Sequence, residues 1–187
     1  ETNPLTAAEL AVKVLSINEE RKQMQSAAYG QIREEAEKLV NAGDKVLVLC
    51  TEKAPSGIVG LLAGNLKEEF GRPAIVFAFK TDKDGKTVLT GSARSVEAFH
   101  ILNGIEKCRE LLLSYGGHAM AAGLSLNPEN FESFRRAINE TASSLTDEEL
   151  QPTCFWDMQT EQSELSDELF AEAERFEPFG AGAPKPV

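Results

Sequence analysis

Residues 116–123, Gly-Gly-His-Ala-Met-Ala-Ala-Gly, constrain this chain more than any other stretch. Three glycines and three alanines leave the main chain nearly bare, and the one strongly polar side chain is the imidazole of His118. Glycine loses more conformational freedom on folding than any other residue, about 0.5–1 kcal/mol relative to alanine in regular structure. A run this small marks a place where something approaches the backbone closely: a packed strand at a tight turn, or a ligand. His118 adds a group that can be neutral or charged near neutral pH.

A second element of the same kind is Gly91-Ser92-Ala93-Arg94-Ser95. It follows a strand-like run, Thr87-Val88-Leu89-Thr90, and precedes a helical run from Val96 to Ser114 that is interrupted at Asn103-Gly104. The pattern predicts these five residues at a helix N-terminus, where unpaired N–H groups favour an anion. Ser92, Arg94 and Ser95 would there form a phosphate or carboxylate cradle. The alternative is a Ser95 that caps the helix and an Arg94 in solvent.

The rest of the chain frames these two segments. Thr6-Ala7-Ala8-Glu9 has the form of a capping box. It opens one long helix whose apolar positions run from Val14 and Ile17 through Met24, Ala28, Ile32 and Ala36 to Leu39, with a weak point at Gly30. Its polar waist, Asn18 to Ser26, suits a helix that links two bodies. Val46–Cys50 reads as a buried strand and 57–70 as a helix with Gly57, Gly60 and Gly64 near one face. Gly71 and Pro73 stop that helix. Ala74–Phe79 is a strand, 82–85 a hairpin turn, 86–90 the returning strand, and Ala121–Leu126 another. Asn127-Pro128 opens an amphipathic helix that carries Phe131, Phe134, Ile138 and Leu145. The expected fold class is α/β, a small mixed β-sheet domain covered by helices. Three segments are expected: a connecting helix over 1–42, the α/β domain over 43–147, and the start of a further domain over 148–187. The last contains a strand at 153–158 and an acidic helix at 165–176.

Charge and composition narrow the chemistry. The net charge is −11, yet Glu140 to Glu177 hold twelve acidic residues and one basic one, so residues 1–139 are close to neutral. Such a body can carry one local basic groove, since binding depends on the field at the site. It has no extended basic stripe for tight duplex binding by counterion release. Three cysteines without any CxxC spacing fit a reducing, cytoplasmic setting. No stretch approaches the roughly 20 apolar residues of a membrane span. The sequence has no P-loop, no dinucleotide fingerprint and no His/Asp spacing for a metal site, so no metal is expected on this chain. His118 offers a general acid or base without a carboxylate beside it, and binding is the stronger reading.

The two bare segments, 91–95 and 116–124, together resemble the DHH-associated domain of the DHH phosphoesterase superfamily, in the form found in RecJ-type single-strand exonucleases. Gly57-Ile58-Val59-Gly60, Arg72-Pro73, the Asn18-Glu19-Glu20-Arg21 element and the Pro178–Pro184 run resemble the same family. Ala54-Pro55 stand where RecJ sequences usually carry Trp-His, and Ala93 where glycine is common. The resemblance implies a nucleic-acid-binding fragment of a 5′→3′ single-stranded-DNA exonuclease of recombination and repair. Its Mn²⁺ or Mg²⁺ would be held by an N-terminal DHH domain preceding Glu1, and 148–187 would begin an OB-fold. Gly91, Ser92, Arg94 and Ser95 would bind a phosphate. Gly116, Gly117, His118, Ala119, Met120, Ala121, Ala122 and Gly123 would line the strand's path, with His118 near the cleavage point and Arg21 a further phosphate contact. Tyr115, Phe99 and Phe79 are candidates for base stacking. Alternatives are a DHH phosphodiesterase for short oligonucleotides or cyclic dinucleotides, and a non-catalytic binding module.

Overall fold

The computed structural model describes residues 4–81, 85–151, 157–180 and 182–185. They fall into two compact units, divided between Gln151 and Pro152.

The first unit opens with α1, Pro4–Asn41, an unbroken helix of 38 residues. Proline suits a first helical position because its missing N–H has no partner there anyway. Thr6 and Glu9 therefore lie inside the helix instead of capping it, and Gly30 does not break it. Only the second half of the apolar stripe is buried, at Ala28, Ile32, Ala36 and Leu39. Leu10, Val12, Val14, Leu15 and Ile17 are all more than half exposed.

Five strands form one mixed sheet in the order β1-β2-β3-β5-β4. They are β1 (Leu47–Thr51), β2 (Ala74–Thr81), β3 (Thr87–Arg94), β4 (Leu112–Gly117) and β5 (Ala121–Leu126). β1 and β2 are parallel, joined by the crossover helix α2, Val59–Phe70, and all other pairs are antiparallel. Gly71 ends α2 in the left-handed conformation, φ 62°. On one face α1 and α2 pack over Leu47, Leu49, Val76 and Ala78. On the other, α3 (Ile101–Lys107) and α4 (Phe131–Thr141) pack over Val48, Ile75, Phe77, Leu89 and Leu124. Leu145 joins that second core from beyond the end of α4.

The run from Val96 to Ser114 departs most from expectation. Helix is confined to α3, a short 3-10 turn covers Arg109–Leu111, and β4 follows as the sheet's outer strand. Most of the expected turn at 82–85, and of the expected strand at 153–158, lies outside the described residues.

At the far edge of the sheet one side chain bonds directly to the backbone leading into β1. Asn139 on α4 accepts from the backbone N–H of Lys45 (2.7 Å) and Val46 (2.9 Å) and donates to Val46 O (2.9 Å). It supplies the lead-in to β1 with the bonds a further strand would give. Asn139→Ala leaves these groups unmatched and is expected to lower stability by about 1–3 kcal/mol in urea unfolding.

The second unit holds a 3-10 turn at Gln162–Glu164 and α5, Asp167–Glu174. Ser166 caps α5 by accepting from Leu169 N–H (3.3 Å), and Asp167 and Glu168 sit at its positive end.

Candidate nucleic-acid interface

Strand register brings the two bare segments together. Ser92 on β3 lies opposite Gly123 on β5, and Gly123 lies opposite Gly116 on β4. With neighbouring strands about 4.8 Å apart, these three residues form one row about 10 Å across. Arg94 lies opposite Ala121 in the next row on the same face. Side chains alternate along a strand, so Thr90, Ser92 and Arg94 share this face while Leu89, Gly91 and Ala93 point to the α3–α4 core. The α1–α2 layer reaches only as far as β3, and Gly116 and Gly123 are exposed beyond it.

The segment 91–95 is thus not the start of a helix, as the sequence pattern predicts. Residues 91–94 are the end of β3, and α3 begins at Ile101 behind His100, whose Nδ1 accepts from Asn103 N–H. The helix end that matters is that of α2. Ile58 at its N-cap supplies no side-chain cap. A methyl group placed on Gly60 in the first turn would lie 3.0 Å from Arg94 Nη2 and 3.1 Å from Ser92 Oγ. Arg94 and Ser92 therefore sit directly against an uncapped helix start.

Arg94 is half-buried and has no carboxylate partner among the described residues. Its Nη1 donates to Ser92 Oγ (3.0 Å) and to Ala93 O (2.8 Å). Arg33, Arg72, Arg109 and Arg135 each meet a carboxylate. A guanidinium held only by neutral acceptors, beside the positive end of a helix, is an electrostatic opening for an anion.

Several expected contacts are placed elsewhere. Gly91 is buried: a methyl group there would lie 2.6 Å from the Phe77 ring. Ala122 is buried in the same core. Ser95 is 1% exposed and its hydroxyl donates to Phe99 O (2.5 Å). None of the three reaches the face. Phe99 is buried, and the pairings Phe79–Leu89 and Tyr115–Leu124 put both other aromatics on the opposite side of the sheet from Arg94. Arg21 lies on α1, its guanidinium held by Asn18 and Gln25 of the same helix.

His118, Ala119 and Met120 form the tight connection between β4 and β5. The His118 N–H donates to Ala121 O (2.8 Å), and Ser95 N–H to Met120 O (2.9 Å). This sets His118 about two strand spacings, or about 10 Å, from Arg94 at the same end of the sheet. Its imidazole is exposed, with no carboxylate orienting it among the described residues.

Among the described residues no three His, Cys, Asp or Glu side chains stand close enough to hold a metal ion. Burial pushes the thiols of Cys50 and Cys108 up to about 11, so neither is a thiolate near neutral pH. The described part of the molecule thus offers a face with one carboxylate-free arginine and no cluster of three metal-donor side chains. No described helix is long and apolar enough to cross a membrane.

Residues 43–144 match the DHHA1 domain family. The chain belongs to that family. It is 33% identical to the single-stranded-DNA-specific exonuclease RecJ of Bacillus subtilis over 96% of this chain and 22% of that protein. It is 30% identical to RecJ of Haemophilus influenzae over 96% of this chain and 32% of that protein. The structure superposes over its whole length on crystal structures of Thermus thermophilus RecJ. The TM-score is 0.80 at 25% identity for the Mn²⁺ complex, and 0.76 at 26% identity for the Mg²⁺ complex. It covers 26% and 28% of those two chains. This DHHA1 chain thus spans only about a fifth to a third of the curated relatives it matches.

Proposed function

We propose that this DHHA1 chain is the strand-holding part of a RecJ-like 5′→3′ exonuclease that degrades single-stranded DNA in recombination and repair. The observation that carries this reading is Arg94, a half-buried cation without a carboxylate, set against the uncapped start of α2. It borders a row of residues, Ser92, Gly123 and Gly116, with almost no side chain to obstruct a ligand. In this reading Arg94 and Ser92 hold the 5′-terminal phosphate. The sugar-phosphate chain then runs across Gly123 and Gly116 towards the turn at His118. Because Phe79 and Tyr115 face the other way, the grip is on the backbone, which suits a sequence-independent nuclease. Arg21 contributes a further phosphate contact.

The Mn²⁺ or Mg²⁺ of the reaction would be held by a DHH domain in the longer protein, and would there supply an activated water for phosphodiester hydrolysis. The apolar first half of α1 is the surface that domain covers, and residues 148–187 lead into an OB-fold. The protein acts in the cytoplasm.

The test uses the full-length protein on 5′- and 3′-labelled single strands with and without Mn²⁺. It is expected to shorten strands from the 5′ end only when the metal is present, while residues 1–187 alone show no cleavage. Arg94→Ala is expected to weaken binding of 5′-phosphorylated strands by about 1.5–3 kcal/mol, the value of a charged hydrogen bond. Unchanged affinity, or cleavage by residues 1–187 alone, overturns the reading.

A further inference from the structure

We propose that Gly60 is a positioning residue: its missing side chain lets the Arg94 guanidinium lie against the first turn of α2, where arginine and helix N–H groups meet one terminal phosphate. The inference rests on the phosphate reading of Arg94 given above and extends it to a residue that touches no substrate.

Three glycines lie in or just before α2, and only one has a neighbour to explain it. A methyl group on Gly57 or Gly64 would meet nothing within 4 Å. On Gly60 it would lie 3.0 Å from Arg94 Nη2, 3.1 Å from Ser92 Oγ and 3.6 Å from Ser92 Cβ. Glycine inside a helix lowers stability relative to alanine, so the position gives up helix propensity where nothing in the core requires it. The atoms that crowd it are the two polar groups of the proposed phosphate site. Both Nη1 hydrogen bonds of Arg94 go to β3 itself, to Ser92 Oγ and Ala93 O, which leaves Nη2 as the end nearest α2.

An added methyl group has one easy escape. Arg94 Nη2 is the far end of a flexible side chain and gives way by a few tenths of an ångström, shifting the guanidinium against its Ser92 and Ala93 acceptors while the backbone stays in place. Gly60→Ala is thus expected to separate fold from function: helix propensity rises while the anion site loses its geometry.

The experiment measures equilibrium binding of the full-length protein, without divalent metal so that nothing is cut, to one oligodeoxynucleotide bearing either a 5′-phosphate or a 5′-hydroxyl. Gly60→Ala, Arg94→Ala and the double variant are compared, with the thermal midpoint of each. Gly60→Ala is expected to keep or raise the midpoint. It should weaken the phosphorylated strand about tenfold, as for one charged hydrogen bond. The hydroxyl strand should change less than twofold. In the Arg94→Ala background Gly60→Ala should have no further effect, since the group it displaces is gone. Equal loss on both strands, or an undiminished loss in the double variant, overturns the positioning role alone. An Arg94→Ala protein that binds both strands like the parent overturns the phosphate reading beneath it.

Discussion

Replacing Phe77 by alanine is expected to destabilise the DHHA1 unit by about 3–5 kcal/mol, as for a fully buried phenylalanine whose site cannot collapse. Phe77 is 0% exposed, in the middle of β2. Its ring meets Phe131 and Phe134 edge-on, with centroids 5.9 Å away in both cases. Such pairs contribute about 0.5–1.5 kcal/mol beyond the area they bury. A third wall is backbone: Gly91 on β3 lies directly opposite, and a methyl group there would come within 2.6 Å of Cδ1. Gly91→Ala alone should therefore cost about 1–3 kcal/mol through overpacking. Combined with Phe77→Ala, however, it should recover part of the loss, because the new methyl group enters the cavity. Urea unfolding followed by far-ultraviolet circular dichroism measures both. Additive losses in the double variant would show that Gly91 does not abut the ring.

The same pair of residues shows what the sequence makes legible. The C-terminal end of α2 and the span of β5 follow from strong local signals: Gly71 and Pro73 for the first, a short run ending at Asn127-Pro128 for the second. Residues 91–94 are harder, because Gly-Ser-Ala-Arg lacks the β-branched side chains that mark a strand. The usable signal is their alternation, small at Gly91 and Ala93, polar at Ser92 and Arg94, which is the period of a strand with one face on a core. β4 is hidden differently. Leu111 and Leu112 continue the helical spacing of Ile105 and Cys108, and the irregular register between Leu112 and Ser114 breaks the alternation. Short apolar runs of this kind do not separate helix from strand by period alone. The bonds of Asn139 to Lys45 and Val46 span more than 90 residues and leave no local trace. Likewise, the sequence shows three glycines along α2 but not that Arg94 crowds only Gly60. Convergence of the two bare segments is a property of strand order, β3 beside β5 beside β4, which spacing along the chain does not contain.

Gly116 and Gly117 are adjacent in sequence, yet alanine at each is expected to give opposite results. Gly117 has φ +153°, and a methyl group there would run into Ala121 O and lie 2.5 Å from Ala122 Cα and 2.8 Å from Ala122 Cβ. These are backbone neighbours in β5, so relief requires opening the β4–β5 turn and its His118 N–H to Ala121 O bond. Backbone strain and overpacking each cost about 1–3 kcal/mol, so Gly117→Ala is expected to lose about 2–6 kcal/mol. Because β4 pairs on one side only, much of this should appear as local release of that strand, read as faster hydrogen exchange of its amides than of those in β1 and β2. A methyl group on Gly116 meets nothing within 4 Å, and its exchange and unfolding should match the parent. On the proposed path of the DNA backbone, that same methyl group should still weaken single-strand binding by the full-length protein, with or without a 5′-phosphate. If Gly116→Ala binds as the parent does while Arg94→Ala does not, the strand leaves the phosphate site by another route.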